Sequence, residues 1–271
     1  MTSLRNYTLF VVVILLFSFN KKEPDYSKTL PGVVKITDYL YYDQTEATNF
    51  WWREYIEWNK KTYGENSVEY KAAFPDTNVW IQTGTYNQPY VRYYLDHPAY
   101  AQYPVVGITW KQANDFCTWR SLRAMDELKE SSKIEKAPKY FTYRLPTYAE
   151  WKMMYEDVGK LSIVIGEEGK KANRGMHRFN MKRNVEDMKG QAGSLNDNAD
   201  VTAPVKSYWP NQYDVYNIKG NVSEWMLEEN THVGGAWNTL NTEFNSDAVK
   251  FEGTSAAIGF RCVCEVIEEA P

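Results

Sequence analysis

Cysteine and histidine, on which most zinc and thiol chemistry depends, are scarce in this sequence. The 271 residues contain three of each. They are Cys117, Cys262, Cys264, His97, His177 and His232. The spacing of Cys262-x-Cys264 is too tight for a usual zinc-binding pair, and three histidines offer little to complete a site. The sequence therefore does not predict zinc.

Common catalytic motifs and an excess of positive charge are also absent. The sequence has no H-E-x-x-H, no G-x-S-x-G and no glycine-rich phosphate loop, so we assign no catalytic residue. The net charge is −4, and no stripe of lysine and arginine occurs. We therefore do not expect a nucleic acid as a partner.

The N-terminus carries an apolar segment that predicts export. Arg5 precedes an apolar run over residues 7–19, and Lys21 and Lys22 follow it. A positive start and a run of this length are typical of a signal sequence, and the run is short for a membrane span. Phe19 stands where a lipoprotein signal would have its cysteine. We expect a membrane-associated protein of the periplasm, with the segment either cleaved or kept as an anchor.

The rest of the chain is interpreted as one domain. Residues 1–19 are the signal sequence or anchor, and residues 20–35 are polar, contain two prolines and predict a tether. No glycine- and serine-rich linker follows, so a single domain is predicted over 36–268. Aromatic residues make up 15% of the sequence, which is typical of an irregular core packed around large rings.

Three helices are predicted from capping residues and periodicity. Thr48 precedes Trp51, Tyr55 and Trp58 at helical spacing. Thr109-x-x-Gln112 and Thr147-x-x-Glu150 are capping boxes.

Strand signals are short and lie at 33–36, 104–107 and 258–263. Hydrophobic periodicity is weak between about 160 and 215. A long irregular segment inside a compact domain needs a stabilising interaction. Bound cations are one answer.

One stretch, NIKGNVSEW at 217–225, is neither a clean helix nor a clean strand. The spacing of Asn217, Gly220, Val222 and Glu224 would allow two side-chain oxygens and two backbone carbonyls to point inward together. A polar turn, a catalytic loop and a cation site all remain open from these residues alone.

Several phrases occur in an order that resembles a known family. They are YYDQTEATNFWW (41–52), YPVVGITWKQANDFCTW (103–119), YRLPTYAEW (143–151), YNIKGNVSEW (216–225), GGAWN (234–238) and IGFRC (258–262). Together they resemble the formylglycine-generating enzyme, or sulfatase-modifying factor, family over about 220 residues. The resemblance implies an α+β fold with little regular secondary structure, distantly like C-type lectins.

Two further phrases are similar to non-enzymatic members of that family. FPDTNVW (74–80) and YYLDHPAYAQYPVVG (93–107) look like the gliding-motility lipoproteins J and K. That resemblance implies a partner among the envelope proteins of a type IX secretion or gliding-motility complex. Those lipoproteins are longer and carry the lipid-accepting cysteine that this chain lacks.

The family resemblance implies two calcium sites. Family members bind calcium through oxygens at the positions of Asn217, Gly220, Val222 and Glu224, which suits a hard cation. A second site corresponds to Asn180, Met181, Asp197 and Ala199. The alternatives are a polar turn in which Glu224 caps a backbone group, and a solvated Asn/Asp-rich loop.

The resemblance also implies a disulfide and the loss of the family's reaction. Cys117 and Cys262 match two family cysteines that pair; the alternative is two buried thiols. We expect Cys264 to face away from Cys262 and to stay unpaired. The family's oxidase chemistry uses copper(I) held by two cysteines, and Thr239 and Phe244 stand at those positions.

Three functions follow as hypotheses. The first is a non-catalytic interaction protein whose docking surface is the aromatic-rich insert from about Lys60 to Tyr103; the alternative is that these rings are core. The second is an oxidase-type enzyme with altered chemistry. The third is a calcium-dependent module that binds glycan or peptidoglycan.

Overall fold

Five α-helices and eight short β-strands form in the part of the chain that this computed structural model describes, residues 25–81, 87–131, 133–182 and 201–267. The helices are α1 (Asn49–Tyr63), α2 (Val68–Ala72), α3 (Gln88–Tyr93), α4 (Trp110–Glu130) and α5 (Tyr148–Tyr155). The strands are β1 (Val33–Lys35), β2 (Leu40–Asp43), β3 (Tyr140–Arg144), β4 (Ser223–Trp225), β5 (Thr231–Val233), β6 (Val249–Lys250), β7 (Ile258–Gly259) and β8 (Val263–Ile267).

The three predicted helix starts are confirmed. The Thr48 side chain accepts a hydrogen bond from the backbone N–H of Trp51 and caps α1. Thr109 and Thr147 form complete capping boxes at α4 and α5. Each cap gives a partner to backbone N–H groups that a helix start leaves unpaired. Local chemistry therefore sets where these helices begin.

The strands form two small sheets. The first has the order β1-β2-β8-β3 and is antiparallel throughout; the second has the order β6-β5-β4-β7, in which β4 and β7 run parallel. The strand predicted at 33–36 is confirmed as β1. The one at 258–263 divides into β7 and the start of β8, and 104–107 makes only an isolated bridge from Pro104 to Thr48.

The largest core cluster lies between α1, α4 and the first sheet. The Trp52 ring stacks on Phe116 at 5.4 Å and meets Phe260 edge-on at 5.9 Å. All three side chains are buried, and aromatic pairs in these arrangements add to the stabilisation from burial alone. The predicted α+β fold class is confirmed. None of the helices in the described ranges is long and apolar enough to cross a membrane.

The predicted tether over 20–35 is wrong for residues 26–35, which belong to the fold. Tyr26–Lys28 forms a turn of 3-10 helix, and its Tyr26 N–H donates to the Tyr41 hydroxyl at 3.1 Å. Leu30 is 1% exposed and belongs to the main core, and β1 pairs with β2. The apolar side chains of this segment therefore hold it in the fold despite its polar composition. Residues 1–24, with the predicted signal, lie outside the described residues.

The expected orientation of Cys264 is also wrong. Residues two apart in a strand share a face, and Cys262 and Cys264 both lie in the main core cluster and are fully buried. Burial raises the pKa of the Cys264 thiol, with the neighbouring Arg120 charge opposing that rise. No disulfide joins Cys264, Cys117 or Cys262 in this structure, so the unpaired state of Cys264 stays a prediction.

Candidate functional site

The stretch 217–225 forms a tight turn that leads into β4. Asn217, Gly220 and Asn221 have φ angles of 52°, 83° and 62°. This left-handed region is open to glycine and tolerated by asparagine. A Cβ on Gly220 would lie 2.5 Å from the carbonyl oxygen of Asn180, so the turn also needs glycine for close contact with the neighbouring segment.

Glu224 is clamped by an arginine that the sequence did not single out. The Nε and Nη2 atoms of Arg261 donate to the two carboxylate oxygens at 2.8 and 2.6 Å, and both side chains are fully buried. Arg261 also donates to the carbonyls of Asp43 at 3.1 Å and Tyr216 at 2.8 Å. A second arginine–glutamate pair, Arg144 with Glu150, lies nearer the surface.

A second buried carboxylate, Glu46, completes the site and was missed by sequence reasoning. Asn217 Nδ2 donates to its Oε2 at 3.2 Å, and Asn221 Nδ2 donates to its Oε1 at 2.8 Å. Glu46 lies two residues before the Thr48 cap and is 171 positions from Asn217. A single acidic residue just before a helix is typically solvated. Only the position of Glu46 within the phrase at 41–52 could have indicated that it belongs to the site.

The two carboxylates share one cationic partner. Burial raises the pKa of Glu46 to about 7; the Arg261 charge opposes this and the Glu224 charge adds to it. Burial also raises the pKa of Glu224, and Arg261 opposes that rise. Because Arg261 hydrogen-bonds the Glu224 carboxylate and not that of Glu46, the Glu46 carboxylate depends on two neutral amides. It therefore holds its proton more tightly than a solvated glutamate does.

Two of the four residues of the predicted first calcium site, Asn217 and Glu224, are buried near Glu46, and the side chains of both already have protein partners. Asn217 and Glu224 lie in one buried cluster, joined to Glu46, and the donor set is rich in oxygen, as calcium requires. Both carboxylate oxygens of Glu224 accept hydrogen bonds from Arg261, and Asn217 Nδ2 donates a hydrogen bond to Glu46. Calcium fits here only if the Asn217 amide turns its oxygen inward, so calcium stays a prediction.

Half of the predicted second calcium site is visible. The Asn180 side chain is buried and its Nδ2 donates to the Val201 carbonyl and to Asn221 Oδ1, at 2.9 and 3.0 Å. Met181 packs in a small apolar cluster with Val158 and Phe179. Asp197 and Ala199 lie outside the described residues. No group of three or more His, Cys, Asp or Glu side chains suited to a metal occurs in the described ranges.

The two positions that would hold copper-binding cysteines have other contacts. Thr239 Oγ1 accepts from the Ala236 N–H at 3.0 Å. The Phe244 ring lies 5.7 Å from that of Tyr155, and the Lys219 ammonium lies 4.5 Å from the Phe244 centroid and 5.0 Å from that of Phe179. Burial lowers the pKa of Lys219. A cation between two ring faces is stabilised by the ring quadrupoles, so these side chains form a packed cluster.

The cysteines predicted to pair lie next to each other. The Sγ atoms of Cys117 and Cys262 are 2.9 Å apart in the core, and both are free thiols in this structure. A disulfide has an S–S distance of about 2.05 Å. The structure brings the two partners together, and the bond itself stays a prediction.

One family model matches nearly the whole chain, and individual relatives match about half of it. The model of the "Sulfatase-modifying factor enzyme 1-like domain" family matches residues 19–266. The Formylglycine-generating enzyme of Mus musculus is 30% identical over 129 residues, which are 47% of this chain and 28% of the mouse protein. The Formylglycine-generating enzyme of Thermomonospora curvata is 32% identical over 130 residues, which are 46% of this chain and 33% of the Thermomonospora protein.

A protein kinase also matches about half of this chain. The Serine/threonine-protein kinase pkn1 of Chlamydia pneumoniae is 32% identical over 132 residues, which are 48% of this chain and 14% of the kinase. The matched segment thus spans a third or less of each of these relatives.

Solved structures also align. The alignment with CarF covers 87% of this chain and 93% of the CarF chain, with 18% sequence identity and a TM-score of 0.47. The alignment with PvdO from Pseudomonas aeruginosa covers 61% of this chain and 63% of the PvdO chain, with 18% sequence identity and a TM-score of 0.41.

Proposed function

Because the chain belongs to the sulfatase-modifying factor enzyme 1-like domain family, we propose that it keeps this fold without the copper chemistry and acts as an interaction protein of the cell envelope. In this proposal the fold supplies a rigid surface, and binding replaces catalysis. The apolar segment at 7–19 would export the domain and keep it near a membrane.

The observation that carries the proposal is what surrounds Thr239 and Phe244. Copper(I) needs soft thiolate ligands, and the chain has no cysteine between Cys117 and Cys262. In place of two thiols, a threonine hydroxyl hydrogen-bonds the turn, and a phenylalanine ring packs on Tyr155 and Lys219. Neither group can ligate copper or exchange with a substrate cysteine.

The insert between Lys60 and Tyr103 supports an interaction role in part of its length. Trp80 and Tyr94 are buried, so the core alternative holds for them. Other large apolar side chains of the insert are exposed: Tyr63, Val68, Phe74, Ile81 and Tyr93. Exposed apolar and aromatic groups are what binding partners bury. We place the docking surface on these five side chains, facing another envelope protein of a secretion or gliding-motility assembly.

Crosslinking in intact cells followed by mass spectrometry tests the docking surface. We expect one partner to crosslink to wild type, and the double variant Phe74→Ser, Ile81→Ser to lose it. Leu122→Ser is the matched control, because Leu122 is also exposed but lies on α4. If the double variant and the control kept the same partner, the insert would not be the docking surface.

Metal analysis of the purified protein tests the loss of catalysis. We expect no stoichiometric copper or iron and no oxidation of a cysteine-containing peptide. Bound copper or iron together with peptide oxidation would favour the oxidase alternative and end the proposal.

A further inference from the structure

Helix α4 and strand β8 end on the same side of the domain. Cys117 of α4 lies next to Cys262, just before β8. One helical turn later, Ser121 Oγ accepts a hydrogen bond from the Tyr143 N–H at 2.8 Å, and Tyr143 pairs with Cys264 of β8. The helix and the strand therefore run in the same direction, and their C-terminal ends define one end of the domain.

The chain enters the fold at this same end. The Tyr39 carbonyl, at the tip of the hairpin between β1 and β2, accepts from the Val266 N–H near the end of β8 at 2.8 Å. A groove of about 290 Å³ lies between the first 3-10 turn and the end of α4, and Lys28 and Lys133 both line it. Asp25, the first described residue, directly precedes that turn.

This end of the domain is rich in lysine. Residues 25–35 and 127–140 contain six lysines and four acidic residues, in a chain whose net charge is −4. None of the exposed lysines among them forms an ion pair with another described residue; they are Lys28, Lys129, Lys133, Lys136 and Lys139. Two large apolar side chains are exposed here as well, Tyr39 at 51% and Ile134 at 38%. We call this surface, made by Lys28, Tyr39 and residues 129–139, the lysine-rich end.

The apolar run at 7–19 is joined to the lysine-rich end by a short link. From Phe19 to Asp25 a fully extended chain spans at most about 20 Å, and the link adds Lys21 and Lys22. When the run is held in a membrane, the lysine-rich end is the part of the domain that lies within this distance of the bilayer.

We propose that the lysine-rich end rests on a lipid bilayer that contains anionic lipid. The inference rests on the proposed function, because it needs the run at 7–19 to stay in the membrane. Tyrosine is enriched at the level of the lipid headgroups, which is where Tyr39 and Ile134 would lie. Lysines near an anionic bilayer are attracted to its surface charge. The short link favours lipid over a protein partner here, because it holds this end at the bilayer whether or not a partner is present.

Fluorescence of the full chain reconstituted in protein-free vesicles tests the proposal. Tyr39→Cys carries an environment-sensitive dye, and Val249→Cys is the matched control, because Val249 is 50% exposed but lies in the second sheet. The three native cysteines are buried, so the dye labels the introduced one. In phosphatidylcholine with one quarter phosphatidylglycerol, we expect lipids with nitroxide headgroups to quench the dye at 39 at least threefold more than at 249.

Charge reversal separates contact with lipid from attachment by the apolar run. The double variant Lys28→Glu, Lys133→Glu should lower the quenching at 39 by about half, and Lys170→Glu, Lys171→Glu, which changes two exposed lysines elsewhere, should not. Both variants keep the run, so both should float with the vesicles. Equal quenching at 39 and 249, or equal effects of the two double variants, overturns the proposal while the chain still floats. A chain that does not float with the vesicles overturns it too, and also removes the membrane anchor from the proposed function, so the two failures are distinguishable.

Discussion

Glu46 is the side chain whose ionisation should set how stability depends on pH. Its folded-state pKa of about 7 lies above its ordinary value of 4.5, so the folded state holds the proton that the unfolded state releases. The stabilisation is therefore greatest below about pH 4.5 and falls as the pH rises toward 7, by about 3 kcal/mol in all.

The variant Glu46→Gln, which cannot ionise, should lose this pH dependence. Relative to wild type it should gain about 2 to 3 kcal/mol between pH 4.5 and pH 8, measured as the free energy of unfolding in urea. Glu54→Gln, on the exposed face of α1, is the control and should follow wild type. Parallel curves for wild type and Glu46→Gln would show that Glu46 is not the titrating group.

Calcium should act through the same residue. A cation that binds only the folded state raises the melting temperature by mass action, and at Glu46 it competes with the proton. The rise should therefore grow as the pH increases through 7 and be lost in both Glu46→Gln and Glu224→Ala. Equal responses to calcium in wild type and both variants would remove the turn at 217–225 as its binding site.

Gly220 combines a left-handed backbone with a close contact, and the two effects can be separated. Gly175 has the same φ of 83°, but a Cβ there would have nothing within 4 Å. Gly175→Ala should cost about 1 to 2 kcal/mol from backbone strain alone. Gly220→Ala should cost clearly more, because its Cβ meets the Asn180 carbonyl at 2.5 Å. Equal losses in urea unfolding would mean that the contact relaxes without cost.

At the scale of elements, local chemistry predicted where the principal helices begin but not how the sheets pair. Thr48, Thr109 and Thr147 act on backbone groups within three residues, so the sequence shows them directly. The strands are two to five residues long, and β2 pairs with β8 more than 200 residues away. Alternation over so few residues is a weak signal, which is why β2, β3 and most of the second sheet were not predicted.

The capping box of α4 gives a prediction for one element. Thr109→Ala removes the acceptor for the Gln112 N–H and should destabilise the domain by about 1 kcal/mol, within a range of roughly 0.5 to 2. Thr118→Ala is the matched control, because Thr118 lies mid-helix on the exposed side and only bonds back to the Asn114 carbonyl. Urea unfolding should show little change for the control; a loss equal to that of Thr109→Ala would mean that the cap is not the cause.

At the scale of the whole molecule, the candidate site is built from contacts that no local pattern contains. Glu46 meets Asn217 and Asn221 across 171 and 175 positions, and Arg261 reaches the Asp43 carbonyl across 218. The turn at 217–225 is predictable from the sequence because its members are adjacent. Glu46 and Arg261 are not, because their partners are assigned only when the two ends of the domain pack together.

The contact between Cys117 and Cys262 is a long-range link that a simple chemical test can examine. The closed segment would span 145 positions, and in the chain-entropy model such a crosslink stabilises the fold by about 5 kcal/mol. Protein taken from an oxidising compartment and unfolded without reductant should therefore show one alkylatable thiol, Cys264, and three after reduction. Reduction should lower the melting temperature of wild type but not of the double variant Cys117→Ala, Cys262→Ala. Three alkylatable thiols before reduction would establish a pair of buried thiols in place of the bond.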